Sequence, residues 1–199
     1  MEVFMISERL IKQMEFMIEI DKLKNIYRQT YILGEERKEN DAEHSWHIAV
    51  LAFALAEYSD KPVDVLKVMK MLLLHDIVEI DAGDTYCYDA EGYKTKAERE
   101  ENAARRIFGL LPDDQYEEFY GLWREFENGE THEAKFAAVL DRMQPLTLNY
   151  SKNGVSWLEH GVFKEQVEKR NLANSDISEA LAELVQAMID DAASRGLLK

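Results

Sequence analysis

The chain has 199 residues, a length that favours one domain or at most two small ones. Hydrophobic residues make up 46% and charged residues 32%, a balance that excludes an intrinsically disordered chain. Acidic residues outnumber basic residues 39 to 24, giving a net charge of −15. This excess argues against a broad surface for duplex nucleic acid, because such surfaces depend on basic side chains.

The single cysteine and the apolar stretches bear on the compartment. Cys87 cannot form an internal disulfide, which is typical of proteins in reducing compartments. The longest apolar stretch, residues 48–56, is too short to span a bilayer. The first residues lack the pattern of a signal peptide. We therefore expect a cytoplasmic protein without a membrane segment.

Two helices and a loop are predicted at the start of the chain. Ser7 is placed to cap a first helix, whose apolar residues recur at intervals of three and four. The polar stretch over residues 28–40 is predicted to be a loop packed against the body. Asp41 precedes a second helix, which is expected to run to about Tyr58.

The next segment combines a strongly apolar helix with a glycine-containing loop. Pro62 suits the first position of a third helix, which is predicted to continue to about Glu79. The stretch from Asp81 to Tyr93 is predicted to be a loop. A fourth helix is predicted to end near Leu110, and its capping box pairs Thr95 with Glu98.

Helical signals continue to the end of the chain. Pro112 is predicted to start a fifth helix that ends at Asn128-Gly129. A sixth helix begins at Thr131, and Pro145 is expected to kink or interrupt it. Later signals are a capping box of Ser156 with Glu159 and a last helix from about Asp176 to Ser194, before Gly196.

These signals predict one all-α domain over residues 1–199, built as a bundle of about seven to nine helices. Alternating apolar and polar residues, which would indicate a strand, do not compete with the helical pattern. Repeats and linkers are also absent from the sequence.

Histidine is scarce, with five in the chain, and three of them lie in or beside helical segments. His44 and His47 are one helical turn apart, and His75 with Asp76 ends the apolar run LLLHD. An isolated ionised aspartate at a buried helix end is costly. A divalent cation would remove that cost, since imidazole and carboxylate are good ligands for borderline metals. Alternatively, His75 bonds a backbone carbonyl and Asp76 caps the next turn.

A further aspartate, Asp141, lies in the later apolar helix AKFAAVLDRMQPL. Its burial again requires a partner, which could be a metal ion or the neighbouring Arg142. Adjacent helical residues do not face each other, which weakens the arginine alternative.

The ordered set of these motifs resembles the HD-domain metal-dependent phosphohydrolase superfamily. More narrowly, it is similar to the bacterial 5′-deoxynucleotidases and to the family called HD domain-containing protein 2. The resemblance extends from about Leu10 to Leu184. It is carried by RKENDAEHSWHIAVLA, LLLHDIVEIDAGDT, LLPDDQYEEFYGLWREFE and EAKFAAVLD.

The resemblance implies the fold of an HD-domain helical bundle and a set of functional residues. Glu79 and Asp76 are implied as catalytic residues of a phosphomonoesterase, with Asp76 also a metal ligand. The implied ligands of one divalent ion (Mn²⁺, Co²⁺, Fe²⁺, Ni²⁺ or Zn²⁺) are His44, His75, Asp76 and Asp141. The implied substrate-binding residues are Arg28, Asp84, Thr85 and Arg37.

The expected substrate is a (deoxy)nucleoside 5′-monophosphate, and a homodimer is expected. The bacterial relatives have a tryptophan after the phosphate-binding arginine that helps to reject ribose, whereas Gln29 follows Arg28 here. Tyr31 could fill that space, so the choice between ribose and deoxyribose stays open, as does the base preference. His47 is expected in the core or behind the metal ligands, and His160 is expected to be exposed.

Two other hypotheses about the function remain open at this point. A different HD phosphohydrolase could act on guanosine tetraphosphate, a cyclic nucleotide or a deoxynucleoside triphosphate. A non-enzymatic acidic helical interaction protein is the alternative from another class. It predicts no stoichiometric metal and no effect of chelators on melting.

Overall fold

Helices make up most of the structure, as the sequence predicts. The computed structural model describes residues 6–89 and 91–199. The N-terminal stretch that lacks a signal-peptide pattern therefore lies partly outside the described residues. The helices are α1 (Glu8–Ile20), α2 (Asp41–Ala54), α3 (Val65–Leu74), α4 (Glu79–Ala82), α5 (Tyr93–Phe108), α6 (Asp113–Asn128), α7 (His132–Ser151), α8 (Val155–His160), α9 (Lys164–Asn171) and α10 (Glu179–Ser194).

Three of the predicted helix boundaries are confirmed by their local geometry. The hydroxyl of Ser7 accepts a hydrogen bond from the backbone N–H of Leu10 and caps α1. Thr131 caps α7 in the same way. Gly129 ends α6 in the left-handed conformation, with φ 65°, which a residue without a Cβ adopts at little cost.

The predicted starts of α2, α5 and α8 were wrong. Asn40, rather than Asp41, caps α2, because its side chain accepts from the N–H of Glu43 while the Glu43 carboxylate accepts from Asn40. Helix α5 begins at Tyr93, before the supposed capping box at Thr95. Helix α8 begins after Gly154, which leaves Ser156 buried inside the helix.

The predicted third helix is shorter than expected at both ends. Asp64 caps it, so that it starts at Val65 instead of Pro62. The apolar run then ends in a 3₁₀ turn, His75–Val78, before the single-turn helix α4 begins at Glu79. This break places the His-Asp pair of the motif at the end of a buried helix.

Two short strands occupy the stretch that was predicted as a loop. Strand β1 (Tyr27–Tyr31) pairs antiparallel with β2 (Lys38–Asn40), with an irregularity in the register. The backbone N–H of Asp41 continues the contact by donating to the carbonyl of Ile26 at 3.1 Å. The strands were missed because they are short and their polar residues carry no alternating apolar pattern. They fix Arg28 beside the start of α2.

Helix α7 lies at the centre of the larger hydrophobic core and packs against α2, α3, α6 and α10. Phe136 and Leu140 are fully buried in it. Pro145 does not interrupt this helix, which runs unbroken to Ser151. A proline at this position cannot donate to the carbonyl of Asp141, one turn before it.

A second group of buried apolar residues joins α1, α5, α6 and the turn after α3. Trp123 and Trp157 are buried in the two cores, whereas Trp46 is 65% exposed. Phe16 is the buried residue of α1, Ile20 is half-buried against the same core, and Met17 and Ile18 are among the apolar residues that face solvent. Within residues 6–89 and 91–199, no helix combines the length and hydropathy of a membrane span.

Candidate metal centre and active site

Side chains from α2, the turn after α3 and the middle of α7 converge on one point. Nε2 of His44 lies 3.0 Å from Oδ1 of Asp141, and Nε2 of His75 lies 3.6 Å from the same oxygen. One ligand atom from each of these three residues lies within 4.8 Å of the others. Two imidazole nitrogens and a carboxylate at such distances can hold a single cation.

Both histidines are oriented by hydrogen bonds on the side away from this point. Nδ1 of His75 lies 2.9 Å from the backbone carbonyl of Leu72, an acceptor, so Nδ1 carries the proton. Nδ1 of His44 lies 3.0 Å from Oε1 of Gln144, and we assign the proton there for the same reason. In each ring Nε2 is then free to present a lone pair to a cation, an arrangement typical of metal-binding histidines.

Asp76 lies beside this group but is drawn towards an arginine. Its Oδ1 is 2.9 Å from Nε2 of His75, while its Oδ2 is 3.9 Å from Nε2 of His44. The same Oδ2 accepts a hydrogen bond of 2.7 Å from Nη1 of Arg28. Asp76 therefore stands between the cluster of candidate ligands and the arginine.

The donor set fits a divalent cation. Buried Nε2 of His75 has no hydrogen-bond partner among residues 6–89 and 91–199, although it faces two carboxylates. A lone pair that faces carboxylate oxygens is unfavourable unless a positive charge lies between them. Nitrogen and oxygen ligands of this kind suit Mn²⁺, Fe²⁺, Co²⁺, Ni²⁺ and Zn²⁺ without sharp selection among them.

The electrostatics of the protein alone point the same way. Burial disfavours a charged His75, but the carboxylates of Asp76 and Asp141 outweigh it and raise the pKa of His75 to about 10. Burial would raise the pKa of Asp76, yet the charges of His75 and Arg28 hold it well below its usual value. The carboxylates thus draw positive charge to this point, as a proton or as a metal ion.

Glu79 is the first residue of α4 and is buried beside the cluster. Burial, reinforced by the negative charges of Asp76 and Asp41, raises the pKa of Glu79 well above its usual value. Its Oε2 has no hydrogen-bond partner in the described part of the chain. A carboxyl group that holds its proton near neutrality can serve in general acid–base catalysis.

Arg28 reaches the cluster from β1. Nη1 donates to Asp76 at 2.7 Å and to Asp41 at 3.2 Å, and the side chain is 13% exposed. Asp41 is fully buried at the start of α2, and burial raises its pKa to about 7. Asp41 was not predicted as part of the site, although the sequence places a carboxylate at the start of a helix there.

A cavity of about 120 Å³ connects the cluster with most of the residues predicted to bind substrate. Asp84 and Thr85 line it, together with Arg28 and Glu79. Arg37 does not: its guanidinium is exposed and pairs with both oxygens of the Glu43 carboxylate, at 2.8 and 2.6 Å. The predicted role of Arg37 in substrate binding stays a prediction.

Residues after Arg28 and the remaining histidines are also placed by the structure. Gln29 lines the cavity, whereas the hydroxyl of Tyr31 donates to Glu159 at 3.0 Å, so that Tyr31 does not fill the expected space. His160 is exposed, as expected, and packs against the ring of Tyr86. Nδ1 of His47 lies 3.1 Å from Nε2 of Gln144.

Gln144 is a further residue of the site that was not predicted from the sequence. Its amide nitrogen donates to Oε1 of Glu39 at 2.7 Å, while its oxygen accepts from His44. Burial raises the pKa of Glu39 to about 7. The sequence signal for this residue was a polar side chain in an apolar helix, three positions after Asp141. Glutamine there links His44, His47 and Glu39 behind the cluster.

Comparisons with known proteins show the family and the fold of the chain. A model of the HD domain family matches residues 20–184. A crystal structure described as a predicted metal-dependent phosphohydrolase from Magnetospirillum magnetotacticum is 51% identical, with a TM-score of 0.90, and the match covers 96% of this chain and 99% of that one. An HD-domain phosphohydrolase from Listeria innocua shares the fold at 18% identity, with a TM-score of 0.68 over 92% of this chain and 90% of that one.

A sequence relative has a more specific name. The human protein named 5′-deoxynucleotidase HDDC2 is 30% identical over 132 residues, or 66% of this chain. The matched region spans 63% of the human protein, which is less than two thirds of its length.

Proposed function

Because the chain belongs to the HD domain family, we propose that it is a metal-dependent phosphohydrolase that releases phosphate from (deoxy)nucleoside 5′-monophosphates. The observation that carries this proposal is the pair of imidazoles, His44 and His75, whose Nε2 atoms face Asp141 while each Nδ1 is bonded behind. The 51% identity to a described metal-dependent phosphohydrolase supports the reaction class. The human 5′-deoxynucleotidase relative supports the substrate class.

The proposed ligands of one divalent ion are His44, His75, Asp141 and Asp76. When bound, a divalent cation here would lower the pKa of a bound water to about 7 and neutralise charge that develops on the phosphoryl group. The proposed ligands lie on three elements that pack against one another in the hydrophobic core, and this packing keeps the ligands in position.

The remaining residues of the cavity have separate proposed roles. The fork of the Arg28 guanidinium orients the substrate phosphate, a task that suits its planar geometry. Glu79 exchanges protons with the attacking water and the leaving 5′ oxygen, assisted by Asp76. Asp84 and Thr85 contact the sugar, since they line the same cavity as Arg28. Gln29 in place of a tryptophan favours acceptance of ribose as well as deoxyribose.

A phosphate-release screen tests the proposal. The purified protein is stripped with a chelator, reconstituted separately with Mn²⁺, Co²⁺, Fe²⁺, Ni²⁺ and Zn²⁺, and assayed with all deoxynucleoside and ribonucleoside 5′-monophosphates. We expect phosphate release with at least one ion, and about one bound ion per chain by elemental analysis. The Asp141→Ala variant, treated identically, is the control for contaminating phosphatase. Absence of release from every monophosphate at full metal occupancy would contradict the proposal.

The proposal extends to the organisation of the chain. Residues 1–199 form one domain, which the continuous match over residues 20–184 supports.

The chain is a homodimer, supported by the exposed apolar side chains of α1, including Leu10, Met14, Met17 and Ile18. Light scattering on wild type and on Met17→Glu tests this: the variant is expected to be monomeric. A cytoplasmic location, favoured by the single free Cys87, is tested by cell fractionation.

A further inference from the structure

Two arginines beside the metal centre have no carboxylate partner among residues 6–89 and 91–199. Arg142 follows Asp141 on α7, and Arg170 lies near the end of α9. Nη1 of Arg142 donates to the backbone carbonyl of Arg170 at 3.3 Å, so the two residues are neighbours. In the part of the chain that the structure describes, neither guanidinium forms an ion pair.

One or both arginines line each of four cavities. Arg170 lines the cavity of about 120 Å³ that contains His75, Asp76 and Asp141. Both arginines line a second cavity of about 400 Å³, which Asp141 also borders. Both also line a cavity of about 480 Å³ and a small one of about 40 Å³.

The size of the central cavity requires the substrate to extend beyond it. Ligand sites for small molecules typically measure roughly 300–1,000 Å³. About 120 Å³ is enough for a cation and a phosphoryl group, but not for a whole nucleotide. The rest of the substrate therefore passes into a neighbouring cavity, and both of the larger ones are bordered by Arg142 and Arg170.

The negative charge of Asp141 acts on both guanidiniums, but no carboxylate of the described residues forms an ion pair with either of them. The other two cations of the central cavity are already paired, Arg28 with Asp76 at 2.7 Å and Lys96 with Glu100 at 2.6 Å. Two partly buried positive charges side by side are costly unless an anion joins them. They are placed together in a chain whose net charge is −15, in which carboxylate partners are abundant. Paired guanidiniums bind phosphate oxygens through parallel charge-assisted hydrogen bonds.

Resting on the proposed phosphohydrolase function, we infer that Arg142 and Arg170 bind a second phosphate group of the substrate. The preferred substrate class is then a nucleoside 3′,5′-bisphosphate, with the 5′-phosphate at the metal centre and the 3′-phosphate on the arginine pair. The reaction remains the hydrolysis of one ester. Water forms a bond to the 5′ phosphorus, the bond to O5′ breaks, O5′ takes up a proton, and the 3′-phosphate is unchanged.

The test compares deoxyadenosine 3′,5′-bisphosphate with dAMP, and the nucleoside 3′-monophosphate product is identified by chromatography. We expect kcat/KM of the wild type to be at least about tenfold higher for the bisphosphate, mainly through a lower KM, which corresponds to about 1.4 kcal/mol. In Arg170→Gln and Arg142→Gln, the ratio of kcat/KM for the bisphosphate to kcat/KM for dAMP should fall towards one. Arg170→Lys keeps the charge and should retain an intermediate ratio. Lys61→Gln, which removes one positive charge from an exposed position, should retain the wild-type ratio.

The outcomes separate this inference from the proposed function. Hydrolysis of dAMP with a wild-type ratio near one overturns the inference and leaves the proposed function standing. A high ratio that persists in both glutamine variants also overturns it. If the glutamine variants instead lose the difference in kcat/KM between dGMP and dAMP, the arginines recognise the base, and the inference is overturned. No phosphate release from either compound overturns the proposed function itself. If a glutamine variant fails to fold by thermal melting, Arg170→Lys decides, and an unchanged ratio in it counts against the inference.

Discussion

Nδ1 of His44 and Oε1 of Gln144 lie 3.0 Å apart, although 100 residues separate them in the chain. This hydrogen bond turns Nε2 of His44 towards Asp141, which is 3.0 Å away. The orientation of a proposed metal ligand on α2 therefore depends on a side chain of α7.

Gln144→Leu tests that dependence, because leucine keeps a similar size and removes the acceptor. We expect metal affinity to fall by roughly 10–100-fold, as is typical when the partner behind a metal-binding histidine is lost. Titration against a competing chelator dye measures the change. Gln115→Leu, which removes a partly buried hydrogen bond to Gln13, is the matched control and should bind metal normally. Equal affinity in the two variants would contradict the assigned role.

Metal removal should lower the melting temperature. An ion at about 100 times its Kd stabilises the folded state by about 2.7 kcal/mol if it does not bind the unfolded chain. For a chain of this size each kcal/mol raises Tm by about 2–4 °C, so a rise of roughly 5–10 °C is expected on adding metal to the stripped protein. Differential scanning calorimetry with and without chelator measures it. Asp141→Ala should show no such rise, and a wild type that melts identically in both conditions would argue against a metal centre.

Glu79→Gln separates catalysis from metal binding. The substitution keeps the shape of the side chain but removes the group that exchanges protons, so turnover should fall by roughly 10²–10⁴-fold while metal content is retained. Asp76→Asn should reduce both quantities, because it removes a negative charge 2.9 Å from Nε2 of His75. Steady-state kinetics and elemental analysis of the same samples provide the comparison. If Glu79→Gln stays within a few-fold of wild type, proton transfer belongs to another residue.

Arg28→Lys tests the recognition of phosphate. Lysine keeps the charge but loses the planar fork, and hydrogen bonds to charged groups contribute about 1.5–3 kcal/mol. We therefore expect kcat/KM for a nucleoside monophosphate to fall about tenfold or more, with metal content unchanged. Arg9→Lys, on the surface where Arg9 pairs with Asp114, is the control. A similar small effect in both variants would remove Arg28 from the phosphate site.

Helix boundaries were predictable where the signal is local. Ser7, Thr131 and Gly129 act on atoms within one helical turn, so the residues alone decide their effect. The supposed capping box at Thr95 failed because α5 already begins at Tyr93. A capping sequence within a longer helix has no free N–H groups to satisfy.

The sequence by itself determined the all-α class, because helical periodicity and caps depend on residues close together in the chain. Residue chemistry also marked His75, Asp76 and Asp141 as candidates, since charged or polar groups in apolar helices require partners. The choice of His44 over His47 came from the resemblance to the HD-domain family. Only the tertiary structure decided which atoms meet. Asp141 approaches His44 across 97 residues, and Arg142 meets Arg170 through α9 packed on α7. Local periodicity contains no information on such distances, because they arise when the helices bury their apolar faces against one another.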